Sequence, residues 1–415
     1  LFAPPLLWGA GPGAPRKKRG CFILTKLLMK LFLPQNAAPD DPEVRRRCGS
    51  LSGGVGIGLN LLLSLGKLLS GLLTGSVAMV ADGLNNLSDA ATSVVTLVGF
   101  HLAGQKADRE HPFGHGRMEY VTGLIVALAV LLMGFEVGRS AVEQIVSPAE
   151  VAFSPAACGV LLASILIKLW MFLFNRRLGK YIDSAALEAT AADSLSDTMS
   201  TGVVLLSALA GHLLDWQIDG AAGLLVAAFI LKTGWGAAKE TLDPLLGRPM
   251  DPALAADIDR LAGQYDHILG IHDLVYHDYG PGRAMMSFHA EVPADGDMLE
   301  LHDIVDTIER DLEKKHHIKT VIHMDPIVND DRTRQLKEQV ARLVQEIDPG
   351  ISIHDFRTTQ GPLLTNLIFD MVVPYHFRLS DQETAAEIDR LVKERLGENY
   401  YTVATVERSY VWSGD

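Results

Sequence analysis

Two polar tetrads set inside long apolar runs constrain this chain more than any other feature. One is Asn85-Asn86-Leu87-Ser88-Asp89 and the other is Asp193-Ser194-Leu195-Ser196-Asp197. Each places two oxygen-bearing side chains four residues apart, which is one helical turn and one face. A helix needs about 20 apolar residues to cross a bilayer, and such runs recur near 52–74, 77–104, 119–141, 153–175, 184–212 and 217–238. An ionised Asp near mid-bilayer costs roughly 2.5–3.5 kcal/mol on insertion scales, so it is rarely decoration. Asn85, Asp89, Asp193 and Asp197, facing one another across two helices, would make an all-oxygen cage for a divalent cation. Asp82, three residues before Asn85, is an accessory candidate: a further ligand, a proton acceptor, or a residue facing a wet entry.

The pattern changes to soluble alternation near residue 245 of the 415. The expected organisation is an N-terminal segment (1–50), an all-α bundle of six membrane spans (51–245), and two small soluble domains (246–328 and 329–415). The net charge of −13, borne mostly by the soluble portion, argues against nucleic-acid binding. Cys21, Cys48 and Cys158 are scattered with no CxxC, which indicates neither a disulfide framework nor a thiolate zinc site. Residues 1–20 mix Pro, Gly and the basic cluster Arg16-Lys17-Lys18-Arg19, without a small-residue cleavage site, and Met29 is expected to lie closer to the natural start.

Loop charge sets the orientation. Lys26, Lys30, Arg45, Arg46 and Arg47 precede the first span; Lys106, Arg109 and Arg117 lie between spans two and three; Arg176, Arg177 and Lys180 lie between four and five. The alternate loops near 73–76, 146–152 and 211–218 carry no Lys or Arg, so both termini are expected in the cytoplasm. Lys67 and Lys168, in spans one and four, read as snorkelling or helix-contact residues. Small residues around both tetrads, among them Gly83, Ala90, Ala189 and Ala192, would let the two helices approach closely.

The soluble portion repeats itself. Ile271-His272-Asp273-Leu274 followed by Gly280-Pro281 matches Ile353-His354-Asp355-Phe356 followed by Gly361-Pro362. Phe288-His289-Ala290-Glu291-Val292-Pro293 likewise matches Phe369-Asp370-Met371-Val372-Val373-Pro374. Each half reads helix, strand, strand, helix, strand, with helices on one face of a small sheet, an α+β layer.

Together these residues resemble the cation diffusion facilitator family of metal–proton antiporters, over about 45–328. The resemblance rests on Gly75-Ser76-Val77 before the first tetrad and on Asp108 followed by His111-Pro112-Phe113-Gly114-His115-Gly116-Arg117. It rests also on the cytoplasmic His-Asp, the His of the next strand, and His323-Met324-Asp325-Pro326. It implies six spans, a ferredoxin-like αββαβ cytoplasmic domain (here duplicated), a homodimer in a plasma membrane, a bacterial source, and no enzymatic activity. It implies a transport site at Asn85, Asp89, Asp193 and Asp197, a second ion in the loop at Asp108, His111 and His115, and a cytoplasmic site at His272, His289, His302, His323 and Asp325. In family members a cation near Arg117 pairs with an acid after span six, for which Asp243 and Glu240 are candidates. In the second copy the cytoplasmic equivalents become His354, Asp370, Thr405 and Glu407, which suits packing or dimerisation more than a tight metal site.

Zinc-selective members usually place a His in the transport site, and none stands there in this chain. Oxygen donors suit harder ions, so Mn²⁺ is favoured over Zn²⁺, with Fe²⁺ also accommodated; the His-rich cytoplasmic site suits Zn²⁺. The affinity order alone still favours Zn²⁺ at almost any site, so a zinc-selective antiporter is one alternative and a passive cation channel another. Because ligands must be deprotonated to bind metal, an entering divalent ion displaces protons from crowded carboxylates, and no phosphate-binding GxxxxGK[ST] loop suggests ATP use.

Overall fold

A computed structural model describes residues 23–33, 39, 41–74, 77–146, 155–214, 219–328, 330–361 and 364–408. The basic cluster at 16–19, Cys21, Gly75, Ser76, Pro362 and most of the loops expected at 146–152 and 211–218 lie outside the described residues. A short helix α1 (Ile23–Phe32) precedes α2 (Pro42–Thr74), α3 (Val77–Ala103), α4 (Met118–Val146), α5 (Pro155–Ile182), α6 (Ala185–Leu214) and α7 (Asp219–Leu246). Within α2, α4, α5 and α7, the segments 42–70, 118–146, 158–182 and 220–246 are long and apolar enough to cross a membrane. Helices α3 and α6 carry the tetrads, whose polar side chains dilute their apolarity, and among the described residues they do not reach that standard.

Helix α2 packs along α3, α4 along α7 and α5 along α6, and α4 also lies against α6. Gly53 shows why the first pair can be so close: a Cβ there would stand 2.9 Å from the Cα of Leu97. A buried ion pair ties the ends of three helices. Arg45 on α2 meets Glu119 on α4 at 2.6 Å, Glu119 accepts from Ser184 Oγ at 2.5 Å, and Arg45 also donates to the carbonyl of Ile182. Breaking such a pair from one side strands a buried charge, at a cost of about 3–5 kcal/mol.

The chain continues as α8 (Pro252–Ala262), β1 (Gly270–Asp278), β2 (Ala284–Pro293), α9 (Met298–His316) and β3 (Ile318–Ile327). A second unit follows: α10 (Asp331–Ile347), β4 (Ser352–Gln360), β5 (Thr365–Val373), α11 (Asp381–Leu396) and β6 (Tyr400–Arg408). In both units the first two strands are antiparallel and the last two parallel, in the orders β1-β2-β3 and β4-β5-β6. Side-chain oxygens cap the helix starts, from Asp251, Asp297, Asp330 and Ser380. Each unit has its own core, one around Phe288, Ile308 and Leu312, the other around Phe356, Phe369 and Ile388.

The first unit meets the bundle at its β1–β2 turn. Arg117, just before α4, donates to the carbonyl of Asp278 at 2.8 Å and lies over the Tyr279 ring, while Tyr120 donates to Asp278 Oδ2 at 2.9 Å. Phe113 stacks on Tyr279, and Arg283 donates to the carbonyl of Gln105. Gly280 (φ +113°) is pressed against Gly116, and a Cβ there would lie 2.3 Å from the Gly116 carbonyl carbon. Arg117 therefore spends its guanidinium on this turn, not on Asp243 or Glu240; the loop between α3 and α4 is a docking element.

Candidate metal centres

The membrane centre is built by three helices. Helix α3 brings Asp89, and α6 brings Asp193 and Asp197 one turn apart; all three are buried, and their carboxylate oxygens lie within 4.8 Å of one another. Helix α5 supplies what the sequence did not reveal. Lys168, only 2% exposed, donates to Asp89 Oδ2 at 2.7 Å and also to Asp197 Oδ2. It neither snorkels nor serves as a mere contact: its ammonium sits among the acids. With every carboxylate ionised, three negative charges and one positive leave the centre at −2, the complement of one divalent cation.

The amide of the tetrad is a different one from that expected. Asn86 is buried, and its Nδ2 donates to Asp89 Oδ2 at 3.1 Å, whereas Asn85 is exposed. On a helix Asn85 and Asn86 flank Asp89 by about 40° and about 60° on opposite sides, so the packing of α3 against its neighbours decides which amide turns inward. Asp82 does not join the cluster either; it pairs with the buried Lys67 at 2.8 Å. Both buried lysines of the bundle are thus committed to carboxylates. A cavity of about 390 Å³ between α4, α6 and α7 is lined in part by Glu136, Ser140, Ser200 and Ser207, with Ser200 three residues after Asp197.

The loop cluster is assembled at the surface. Asp108 lies 3.5 Å from His111 Nδ1 and 3.5 Å from His115 Nε2, and ligand atoms of all three fall within 4.8 Å. The backbone N–H of His111, donating to Asp108 at 2.7 Å, holds that carboxyl below its usual range and favours its ionised form.

In the first soluble unit, β-pairing sets His272, His289 and His323 side by side across three strands. Asp325 Oδ2 stands 2.9 Å from His289 Nδ1 and 3.3 Å from His272 Nε2, and Asp325 Oδ1 stands 3.4 Å from His323 Nε2. His302 is the exception among the expected ligands. It is exposed on α9, whose inward face is Leu301, Val305, Ile308 and Leu312. His354 of β4 is close by: its ring stands 4.4 Å from that of His272 and its Nε2 3.3 Å from Asp273 Oδ1. The flanking His272 and His354 imidazoles hold the Asp273 carboxyl well below the usual carboxylate range. Burial works against a charge on His354, but the Asp273, Asp370 and Glu407 carboxylates together outweigh it and raise the imidazole. The repeat of Ile-His-Asp was the sequence signal for His354; that the two copies would meet at it was not readable.

A family model for the cation efflux transmembrane domain matches residues 55–246, and one for the cation efflux protein cytoplasmic domain matches 250–327. An uncharacterized transporter of Methanocaldococcus jannaschii is 31% identical over 267 residues, 64% of this chain and 94% of that protein. The manganese efflux system protein MneS of Bacillus subtilis is 32% identical over 277 residues, 66% of this chain and 94% of that protein. The cation-efflux pump FieF of Shewanella oneidensis is 25% identical over 262 residues, 63% of this chain and 88% of that protein. These matches are to a family of membrane transporters for metal cations, not of enzymes. The chain belongs to the cation diffusion facilitator family.

Proposed function

We propose that this protein exports a divalent cation, Mn²⁺ in preference to Zn²⁺, in exchange for protons, through a centre formed by Asp89, Asp193 and Asp197 with Asn86 beside them. The observation that carries this reading is the convergence of three buried carboxylates from two helices, two of which, Asp89 and Asp197, hold the Lys168 ammonium. Acid oxygens with no imidazole or thiolate suit Mn²⁺ by ligand softness, and MneS, named as a manganese efflux protein, is among the relatives.

Lys168 is the internal counter-ion of the cycle. An arriving divalent ion displaces it from between Asp89 and Asp197 but not from the centre, so that the ion and the ammonium together balance the three carboxylates. When protons reach the carboxylates from the far side, the ion leaves and the ammonium returns. Uncompensated carboxylates are thereby avoided in both states, since an unpaired charge in a low-dielectric interior is expensive. Helices α3 and α6 rock against their neighbours around the fixed centre, which alternates its access.

All six helices α2–α7 span the membrane in this reading, within the transport domain 51–245. Residues 1–50, the soluble unit 246–328 and its degenerate ferredoxin-like copy 329–415 lie in the cytoplasm of a bacterial cell, with the plasma membrane as the site of action. The positive loops and the docking of the α3–α4 loop on the β1–β2 turn support one common side for these segments. The working assembly is a homodimer. The loop cluster Asp108–His111–His115 and the cluster His272–His289–His323–Asp325 bind ions outside the pathway, the latter preferring Zn²⁺.

The test is a proteoliposome assay with a pH gradient and internal Mn²⁺, Zn²⁺ or Fe²⁺. The expected result is Mn²⁺ flux coupled to counter-movement of protons. Flux indifferent to the proton gradient identifies a channel; a Zn²⁺ rate exceeding that of Mn²⁺ identifies a zinc exporter.

A further inference from the structure

We propose that the two soluble units hold a divalent cation between them, Zn²⁺ by its chemistry, on His272 and Asp273 of the first unit and His354 of the second. The place where they meet is a match of like with like. His272 and His354 hold corresponding positions: each pairs with the second strand of its unit, at His289 and at Asp370. Each precedes an Asp in the left-handed region, Asp273 at φ +53° and Asp355 at φ +49°, and a register shift follows in both strands. Contact between equivalent residues is the mark of a two-fold interface, here formed within one chain.

The donor atoms have the spacing a metal requires. His354 Nε2 is 3.3 Å from Asp273 Oδ1, and His272 Nδ1 is 3.3 Å from Asp273 Oδ2. Ligands about 2.0–2.1 Å from a tetrahedral Zn²⁺ stand roughly 3.3 Å from one another. His354 Nε2 is sealed from solvent and makes no hydrogen bond. Asp370 Oδ2, 4.0 Å from His354 Nε2, is placed to complete the set.

Charge points the same way. Asp273 and Asp370 form ion pairs with histidines alone among the described residues, with no Lys or Arg between them. By contrast, the flanking acids at this junction are matched: Glu291 faces Lys337 at 3.4 Å and accepts from the Asp355 backbone N–H at 3.2 Å, and Asp355 pairs with Arg357 at 2.5 Å. The centre of the junction therefore lacks positive charge where its rim does not. Two imidazoles and carboxylates are donors that suit Zn²⁺. His272 presents Nδ1 to this site and Nε2 to Asp325, so it stands between this site and the one on His289 and Asp325. The second unit, which supplies His354, lies beyond the residues matched by either family model.

Zn²⁺ titration against a chromogenic chelator, with the full chain in nanodiscs, tests this without any flux measurement, so its outcome is separate from that of the transport reading. His354→Gln is expected to weaken one Zn²⁺ equivalent by on the order of 100-fold. His289→Gln is expected to remove a different equivalent, and the double variant both. Titrations of His354→Gln that match the unaltered protein overturn the proposal, and so does a double variant that loses no more than His289→Gln alone. Should His354→Gln fail to elute as a folded species, Asp273→Asn carries the same expectation, and an unchanged titration of that variant likewise overturns it.

Discussion

The centre in the helical bundle and the clusters of the two α+β units use opposite chemistry. In the bundle, buried carboxylates gather around a lysine that belongs to the chain, and imidazole is absent from the cluster. In the soluble units, histidines gather around Asp273 and Asp325, with no lysine or arginine among the described residues paired to either. The difference teaches how each handles its charge. A site that must empty and refill in lipid needs a counter-ion of its own, because a bare cluster of acids there is prohibitively costly. A site that holds its ion next to water can rely on softer, neutral donors that become good ligands without a built-in substitute.

The sharpest break in this comparison is loss of an acid. Asp89→Ala and Asp197→Ala are each expected to abolish Mn²⁺-dependent proton flux in proteoliposomes; flux near that of the unaltered protein in either would dissolve the membrane centre. Next comes the lysine. Lys168→Met removes the tethered cation, and turnover should fall at least about 10-fold while Mn²⁺ binds more tightly, since one repelling charge near a divalent ion is gone. Equal turnover would reduce Lys168 to a packing residue. A third test asks which amide belongs to the site. Asn86→His should shift the Mn²⁺/Zn²⁺ ratio toward Zn²⁺ by a few fold, and Asn85→His should leave it unchanged; competition assays with both variants decide between the two faces of α3. The smallest effect is expected from truncation. Removing 330–415 should change the transport rate by less than about 3-fold, provided gel filtration shows a folded product, because Asp89, Asp193 and Asp197 all come from the bundle.

Much of this architecture was legible in the sequence because it rests on periodicity. The i, i+4 spacing of Asp193 and Asp197 is geometry that a helix enforces, and the matched Ile-His-Asp segments place His272 and His354 at the same point of their strands. What escaped depends on rotation and on partners. Asn85 and Asn86 differ by a fraction of a turn, and only packing against α2 and α6 decides which one is buried. Lys168 looks the same in sequence whether it reaches for the membrane surface or inward, and the nearest acids that decide the matter are 79 and 29 residues away. His302 shares a helix with the core of its unit but points away from it. Arg117 carries the charge expected of a membrane-surface residue, yet the β1–β2 turn claims it.

The most direct measurement is a map of the protein saturated with Mn²⁺, with the ion located by its anomalous scattering. One manganese peak bounded by Asp89, Asp193 and Asp197 is expected, with the Lys168 ammonium withdrawn from Asp89 and Asp197. Manganese bound elsewhere in the bundle, with Lys168 still bridging those two acids, would contradict it.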